Sequence, residues 1–323
     1  MKKVYFSIVF FSILFFSCKQ NNQENEIPDS RSRIIEASVI NKKIKKGEGI
    51  AYRNATIIGD IDFTGSNDAS LITGNLIKHY VNSAIVFSNC TFKGKISAFE
   101  KHDKYNKITE FKKGASFFDC TFQDTVDFTS SEFKDIAVFS SSIFQKEVLF
   151  RAAYFGDKGL RFNKTRFIKN AKFNMLKTAG ICNFSDAVFD GNVVFQLSEF
   201  EDPVYFNAAR FNENSDFTKV KFNDDVFFNY AEFYKTIRFS SSGFRARTEF
   251  IKTEFNLISE FKNSLFYGEV KFKDAKISGI ITFENSIFFI SDPGNFECNL
   301  LKETDFLTDN VTVLLKNTKI NRK

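Results

Sequence analysis

Residues 195–217 read FQLSEFEDPVYFNAARFNENSDF. Phe stands at 195, 200, 206, 211 and 217, at intervals alternating between five and six. Two places before Phe200, Phe206 and Phe211 stand Ser198, Val204 and Ala209, all small or β-branched. On an extended chain, residues i−2 and i point to the same side, so each such pair faces one interior. One continuous strand cannot keep the pattern, because an odd interval turns each successive pair to the opposite face. A helix fails too, since neither interval fits a period of 3.6. The pattern therefore requires a corner after every pair. Three extended residues form a wall, two or three form a turn, and four walls close a coil of 22 residues.

The rhythm extends in both directions. Of the 32 slots from Phe117 to Phe288, 30 hold Phe, and Thr178 and Ile277 fill the other two. One extra residue near Gly156-Asp157-Lys158-Gly159 shifts the frame once. Stacking the coils places one column of rings along Phe128, Phe150, Phe173, Phe195, Phe217, Phe239, Phe261 and Phe283. At Thr178 the missing ring is matched by a large residue, Leu176, in the small slot, which reads as volume exchanged inside the core.

Small-x-Phe units at this spacing resemble the pentapeptide-repeat family, in its Phe-rich form with an occasional sixth residue. The resemblance covers about residues 51–290. It implies an all-β fold, a right-handed quadrilateral β-helix. Ala55–Phe63 reads as a first coil and Ile85–Phe99 as the second, with loops expected at 64–83 and 100–109. Residues 34–50 are expected to cap the N-terminal end. Within them Ser38–Gly47 reads as a short amphipathic helix, with Ser38 as N-cap, Gly47 as C-cap and lysines near its C-terminus. Residues 291–323 form the other end, as a capping helix or a last irregular coil.

The first residues read as an address. Lys2 and Lys3 precede an apolar run of 13 residues, Val4 to Phe16, too short to span a bilayer as a helix and fitting a secretory leader. It ends in Phe15-Phe16-Ser17-Cys18, which resembles the lipobox of bacterial lipoproteins, although Phe15 stands where Leu is commoner. That resemblance implies removal of residues 1–17, lipidation of Cys18, and a membrane-anchored protein of the bacterial envelope, facing the periplasm or the exterior. Residues 18–33 are polar and read as a flexible tether.

Composition narrows the role. The chain has 323 residues, 45 Phe, no Trp, 3 Pro, 2 His and a formal charge of +6. Some acidic pentapeptide-repeat proteins mimic DNA and protect gyrase. The positive charge and the export leader oppose that role here, and no nucleic-acid partner is expected. Cys90, Cys120 and Cys182 fall in small inward slots. A Cys90–Cys120 disulfide fits the strand spacing, but side chains stacked in register point parallel, which favours buried free thiols. Cys spacing matches no zinc site, and no metal or cofactor is expected. His79 and His102 fall in the two loops and read as surface residues. Ser131 and Lys134 have the spacing of a Ser-x-x-Lys motif, but Ser131 occupies an inward slot.

The outward positions carry weaker signals. Ser140, Asn163, Ser185, Asn207 and Asn229 form a polar ladder near a corner, of the kind that satisfies turn backbone. Tyr205 and Phe227, one coil apart and each preceding a column Phe, form an outward aromatic pair and the candidate contact patch, with Tyr230 and Tyr234 near in sequence. The expected role is a non-catalytic anchored scaffold whose partner is a protein or a glycan. The alternative is a β-helical enzyme acting on envelope polysaccharide, which requires acids clustered on one face.

Overall fold

The computed structural model describes residues 33–290, 312–314 and 319–322. The leader 1–17, Cys18, nearly all of the tether, Cys298 and most of 291–323 lie outside them. The described chain is all-β apart from one helix and one short 3-10 turn. Its strands stack in four parallel walls of 10, 11, 11 and 11 strands, and two further strands pair antiparallel on the last to make hairpins. In chain order we call them the first wall (from Ile50–Arg53), second (from Ala55–Ile58), third (from Ile61–Asp62) and fourth (from Leu76–Val81).

Every Phe of the repeat is buried. The column predicted from Phe128 to Phe283 is present on the third wall, with neighbouring rings 4.8–5.6 Å apart and within 24° of parallel. Rings of the first and third walls meet edge to face across the core, as for Phe184 and Phe195 at 5.3 Å and 84°. Both arrangements suit the aromatic quadrupole. Burying each ring stabilises by roughly 1.5–3 kcal/mol. Thr178 and Leu176 are both buried, in keeping with the exchange of volume.

Two features of the coil were not in the periodicity. Every five-residue interval turns through a residue with positive φ, recurring at Ser130, Ser141, Ala152, Leu197, Lys219 and thirteen further non-glycine positions. Ser131 N–H donates to the Phe128 carbonyl at 3.1 Å and Ser198 N–H to the Phe195 carbonyl at 3.0 Å, closing type II turns with positive φ at the third position. The small inward slot also does more than save space. Ser142, Ser198 and Ser242 donate their hydroxyls to the carbonyls of Phe117, Phe173 and Phe217, at 2.6–2.7 Å. Each hydroxyl thereby ties a coil to the corner of the one before it. The single insertion is absorbed at Gly159, at φ 74, where a Cβ would lie 2.0 Å from the Ile181 carbonyl oxygen.

The N-terminal end is closed by β1 (Arg33–Glu36) and α1 (Ala37–Lys46). β1 lies at the end of the expected tether and pairs in parallel with Ala55–Ile58, beginning the second wall. Ser38 is not the N-cap. The chain leaves β1 directly into the helix, Glu36 occupies the cap without a side-chain bond, and Ser38 lies exposed in the first turn. Gly47 is the C-cap at φ 69, and Ala37, Ile40 and Ile44 face the core. Asn41 closes the third wall: its amide donates to the Asp60 carbonyl at 2.9 Å and accepts from Asp62 N–H at 3.0 Å. One side chain thus replaces a missing neighbour strand at that edge.

The interruptions at 64–83 and 100–109, expected as loops, are largely strand. Ala69–Thr73 pairs antiparallel with Leu76–Val81, and Phe99–Lys101 with Asn106–Ile108. Leu76–Val81 and Asn106–Phe111 then pair in parallel over six residues and extend the fourth wall. Excursions this long carry many backbone donors and acceptors, and pairing satisfies them. At the other end, Thr312–Leu314 and Lys319–Arg322 continue the third and fourth walls as strands. Among the described residues, no helix is long and apolar enough to cross a membrane.

Candidate functional site

Tyr205 and Phe227 stand opposite one another in paired strands Val204–Tyr205 and Val226–Phe227 of the first wall. Val204 and Val226 point inward and are fully covered, which turns the two rings outward. The rings lie face to face, 5.1 Å apart and 13° from parallel, and both are half-buried. The Arg247 guanidinium covers Phe227, 5.0 Å from the ring centre. Arg247 is itself held by Asp225 at 2.7 Å and Glu249 at 3.8 Å. The hydrogen bond to Asp225, with the charges around it, raises the already high pKa of Arg247. Glu249 follows Phe227 in the register and accepts from the Asn229 amide at 2.8 Å.

Phe227 is thus covered by Tyr205 on one side and approached by Arg247, while the register neighbour of Tyr205 on its other side is Asn183. The structure brings together Tyr205, Phe227, Asn229 and Arg247. It does not add Tyr234, whose hydroxyl donates to Glu232 at 2.7 Å on the second wall. Tyr230 sits at the adjoining corner beneath the Lys252 ammonium, 5.4 Å from its ring centre. Arg247 was missed in the sequence, although the signal was there: it lies two places before Glu249, which the 22-residue register sets beside Phe227.

The polar ladder does structural work. Ser140 donates to Asn163 at 2.7 Å, and the Asn207 and Asn229 side-chain oxygens accept from the backbone of the next coil at 3.1 and 2.9 Å. Four outward acids are paired with bases one coil away: Asp190 with Arg166, Glu232 with Arg210, Glu260 with Arg238 and Glu254 with Lys276, at 2.7–3.1 Å. The Arg210 hydrogen bond holds Glu232 below the usual carboxylate range. For Glu199, burial acts upward, but Lys221 and Lys177 outweigh it and the net shift is again downward. A general acid needs the opposite shift.

His79 and His102 both lie on the excursions of the fourth wall. His79 Nδ1 lies 2.8 Å from the Ser66 carbonyl, and His102 stacks on Tyr105 at 4.7 Å. Among the described residues, no group of three or more His, Cys, Asp or Glu side chains is placed to hold a metal ion. Ser131 is fully buried and faces inward, away from any Ser-x-x-Lys chemistry. Cys90, Cys120 and Cys182 are buried free thiols.

Residues 184–232, which include Tyr205 and Phe227, match the model for pentapeptide repeats, nine copies. Over those residues the chain is similar to pentapeptide repeats. The ring columns carry the same repeat architecture beyond the matched residues, from Phe87 to Phe288. No curated protein matches the chain, and no solved structure does.

Proposed function

We propose that this protein is a non-catalytic pentapeptide-repeat scaffold of the bacterial envelope, anchored through lipidated Cys18, whose first wall receives a protein partner at Tyr205 and Phe227. The observation that carries the contact is the locked stack of Tyr205, Phe227 and Arg247 on a rigid wall. Side chains already fixed lose little entropy on binding, and aromatics and Arg concentrate in interface cores. The anchor rests on the leader and on Ser17-Cys18 in the sequence. The pairing of outward acids with bases, and the downward shifts of Glu199 and Glu232, favour the scaffold over polysaccharide cleavage.

Fractionation tests the anchored reading. The Cys18→Ser chain is expected to lose its lipid and leave the membrane fraction for the soluble one. A variant that stays with the membrane to the same extent as the parent contradicts the anchor.

A further inference from the structure

The coils flanking the Phe99–Phe111 excursion carry the two cysteines that stack on one another. Phe92 and Phe122 are register partners, so Cys90 and Cys120, each two places earlier, occupy the same inward slot of neighbouring coils. Thr121 N–H donates to the Cys90 carbonyl at 2.9 Å, which fixes the two backbones side by side. Neighbouring parallel strands lie about 4.8 Å apart, inside the Cα window of a disulfide, about 4.4–6.8 Å. The slots above and below hold only Ala55 and Ser142, so no ring separates the sulfurs.

Each thiol is held only weakly where it stands. Cys90 Sγ donates to the Ser88 carbonyl at 3.4 Å and the Tyr52 carbonyl at 3.6 Å, and Cys120 Sγ to the Phe118 carbonyl at 3.4 Å. A thiol is a poor donor, so turning one about χ1 toward the other sacrifices little. Cys182 provides the contrast: its register partners are Leu160 and Val204, neither of them a thiol.

We propose that Cys90 and Cys120 are a disulfide site that closes as the chain folds under oxidising conditions and pins the coils on either side of the excursion. The position explains the need. Cys90 and Cys120 are 30 residues apart where the ordinary coil has 22, so the backbone between them leaves the repeat and returns. Repeats with identical inward residues tolerate a slip of one whole coil, and the excursion is where a slip is least guarded. A covalent tie there removes the alternative and constrains the unfolded chain.

The chemistry is thiol–disulfide exchange with a disulfide oxidant, such as oxidised glutathione. The Cys90 thiolate attacks one glutathione sulfur and expels a glutathione thiolate. The Cys120 sulfur then attacks Cys90 in the mixed disulfide and expels the second glutathione, and both protein protons end on the two glutathione thiols. Two protein thiols are oxidised and one glutathione disulfide is reduced. Burial of both sulfurs in the finished coil puts the exchange before closure and shields the product from reduction.

The test is refolding of the full chain in a glutathione redox buffer, followed by alkylation under denaturing conditions and peptide mapping. A peptide pair joined through Cys90 and Cys120 and lighter by two hydrogens is expected, with Cys182 alkylated. Reductant should then lower the unfolding midpoint of the parent chain but not that of Cys90→Ala/Cys120→Ala, a change that places in both slots the residue found at Ala55 and Ala187. Full alkylation of Cys90 and Cys120 in the oxidised, refolded chain overturns the proposal, and so does linkage of either to Cys182 or Cys298. The readout does not depend on where the protein is anchored, so its failure leaves the scaffold reading standing.

Discussion

Phe195 lies between Phe173 and Phe217, 4.8 and 4.9 Å away, with none of its surface exposed. Cutting it to Ala removes both stacking contacts and leaves a cavity the rigid walls cannot fill. Phe195→Ala is expected to cost about 3–5 kcal/mol. Glu199, four residues on, points outward between Lys177 at 3.6 Å and Lys221 at 3.3 Å. Exposed pairs of this kind contribute about 0–1 kcal/mol, so Glu199→Ala should stay within about 0.5 kcal/mol. Urea melts of the two variants decide, and equal losses would mean that inside and outside are misassigned. The corners make a second prediction at this scale. Lys219 is exposed at φ 59. That conformation costs an L-residue roughly 1–2 kcal/mol, while added glycine freedom in the unfolded chain returns roughly 0.4–1 kcal/mol of it. Lys219→Gly should therefore be neutral or stabilise by up to about 1 kcal/mol, whereas Lys219→Val, β-branched at positive φ, should destabilise. The same melts check the pair.

At the scale of elements, the excursions are held by charge. Lys78 lies 2.6 Å from Glu132 and 3.3 Å from Glu110, and Glu110 and Glu132 are register partners. Burial acts to lower the pKa of Lys78, but its hydrogen bonds and the two carboxylates outweigh it and the net shift is upward. Burial acts to raise Glu132, but Lys134 and Lys78 outweigh it and the net shift is downward. The signs give a window. A carboxylate with a lowered folded pKa contributes above its unfolded pKa of about 4.3 and loses that contribution as pH falls through the folded value. A lysine with a raised folded pKa contributes below about 10.4 and loses it as pH rises through the folded value. The tie should hold between these limits and loosen at either end. Amide protection factors in 76–81 and 106–111, referred to intrinsic exchange at each pH, should fall at pH 3 relative to pH 7, more than those in 195–217. Lys78→Met should reproduce that loosening at pH 7, because it leaves two carboxylates side by side. Uniform exchange along the chain would mean the charges hold nothing.

These elements also mark where the sequence was readable. A five-and-six rhythm in one residue type fixes four walls, and with them the inward place of Phe195 and the outward places of Tyr205 and Phe227. The excursions break the rhythm, so their strands had no period to announce them. β1 has one inward residue, Ile35, beside an equally apolar but exposed Ile34, so no alternation marks it, and only its partner strand at Ala55–Ile58 identifies it. Ser38 looked like a cap because caps are read locally, yet the helix start was set by where β1 ends. The hydroxyl bonds of Ser142, Ser198 and Ser242 run 25 residues back along the chain, beyond any local reading.

At the largest scale, four ring columns run inside the stacked coils and ion pairs join neighbouring coils outside. The closest packing lies inside, and several outward acids answer bases on a neighbouring coil. The stack of Tyr205, Phe227 and Arg247 is an outward aromatic group fixed in place by its neighbours, and the account rests on its use. The measurement that tests this most directly is recovery of envelope proteins by the anchored chain, compared between the parent and Tyr205→Ser/Phe227→Ser, with thermal melts of both run alongside. The account predicts an unchanged melt and loss of the partner from the variant. A variant that melts early would place the rings in the core and refute the register. One that folds and retains its partner would contradict the contact wall and shift the search to the excursions that carry His79 and His102.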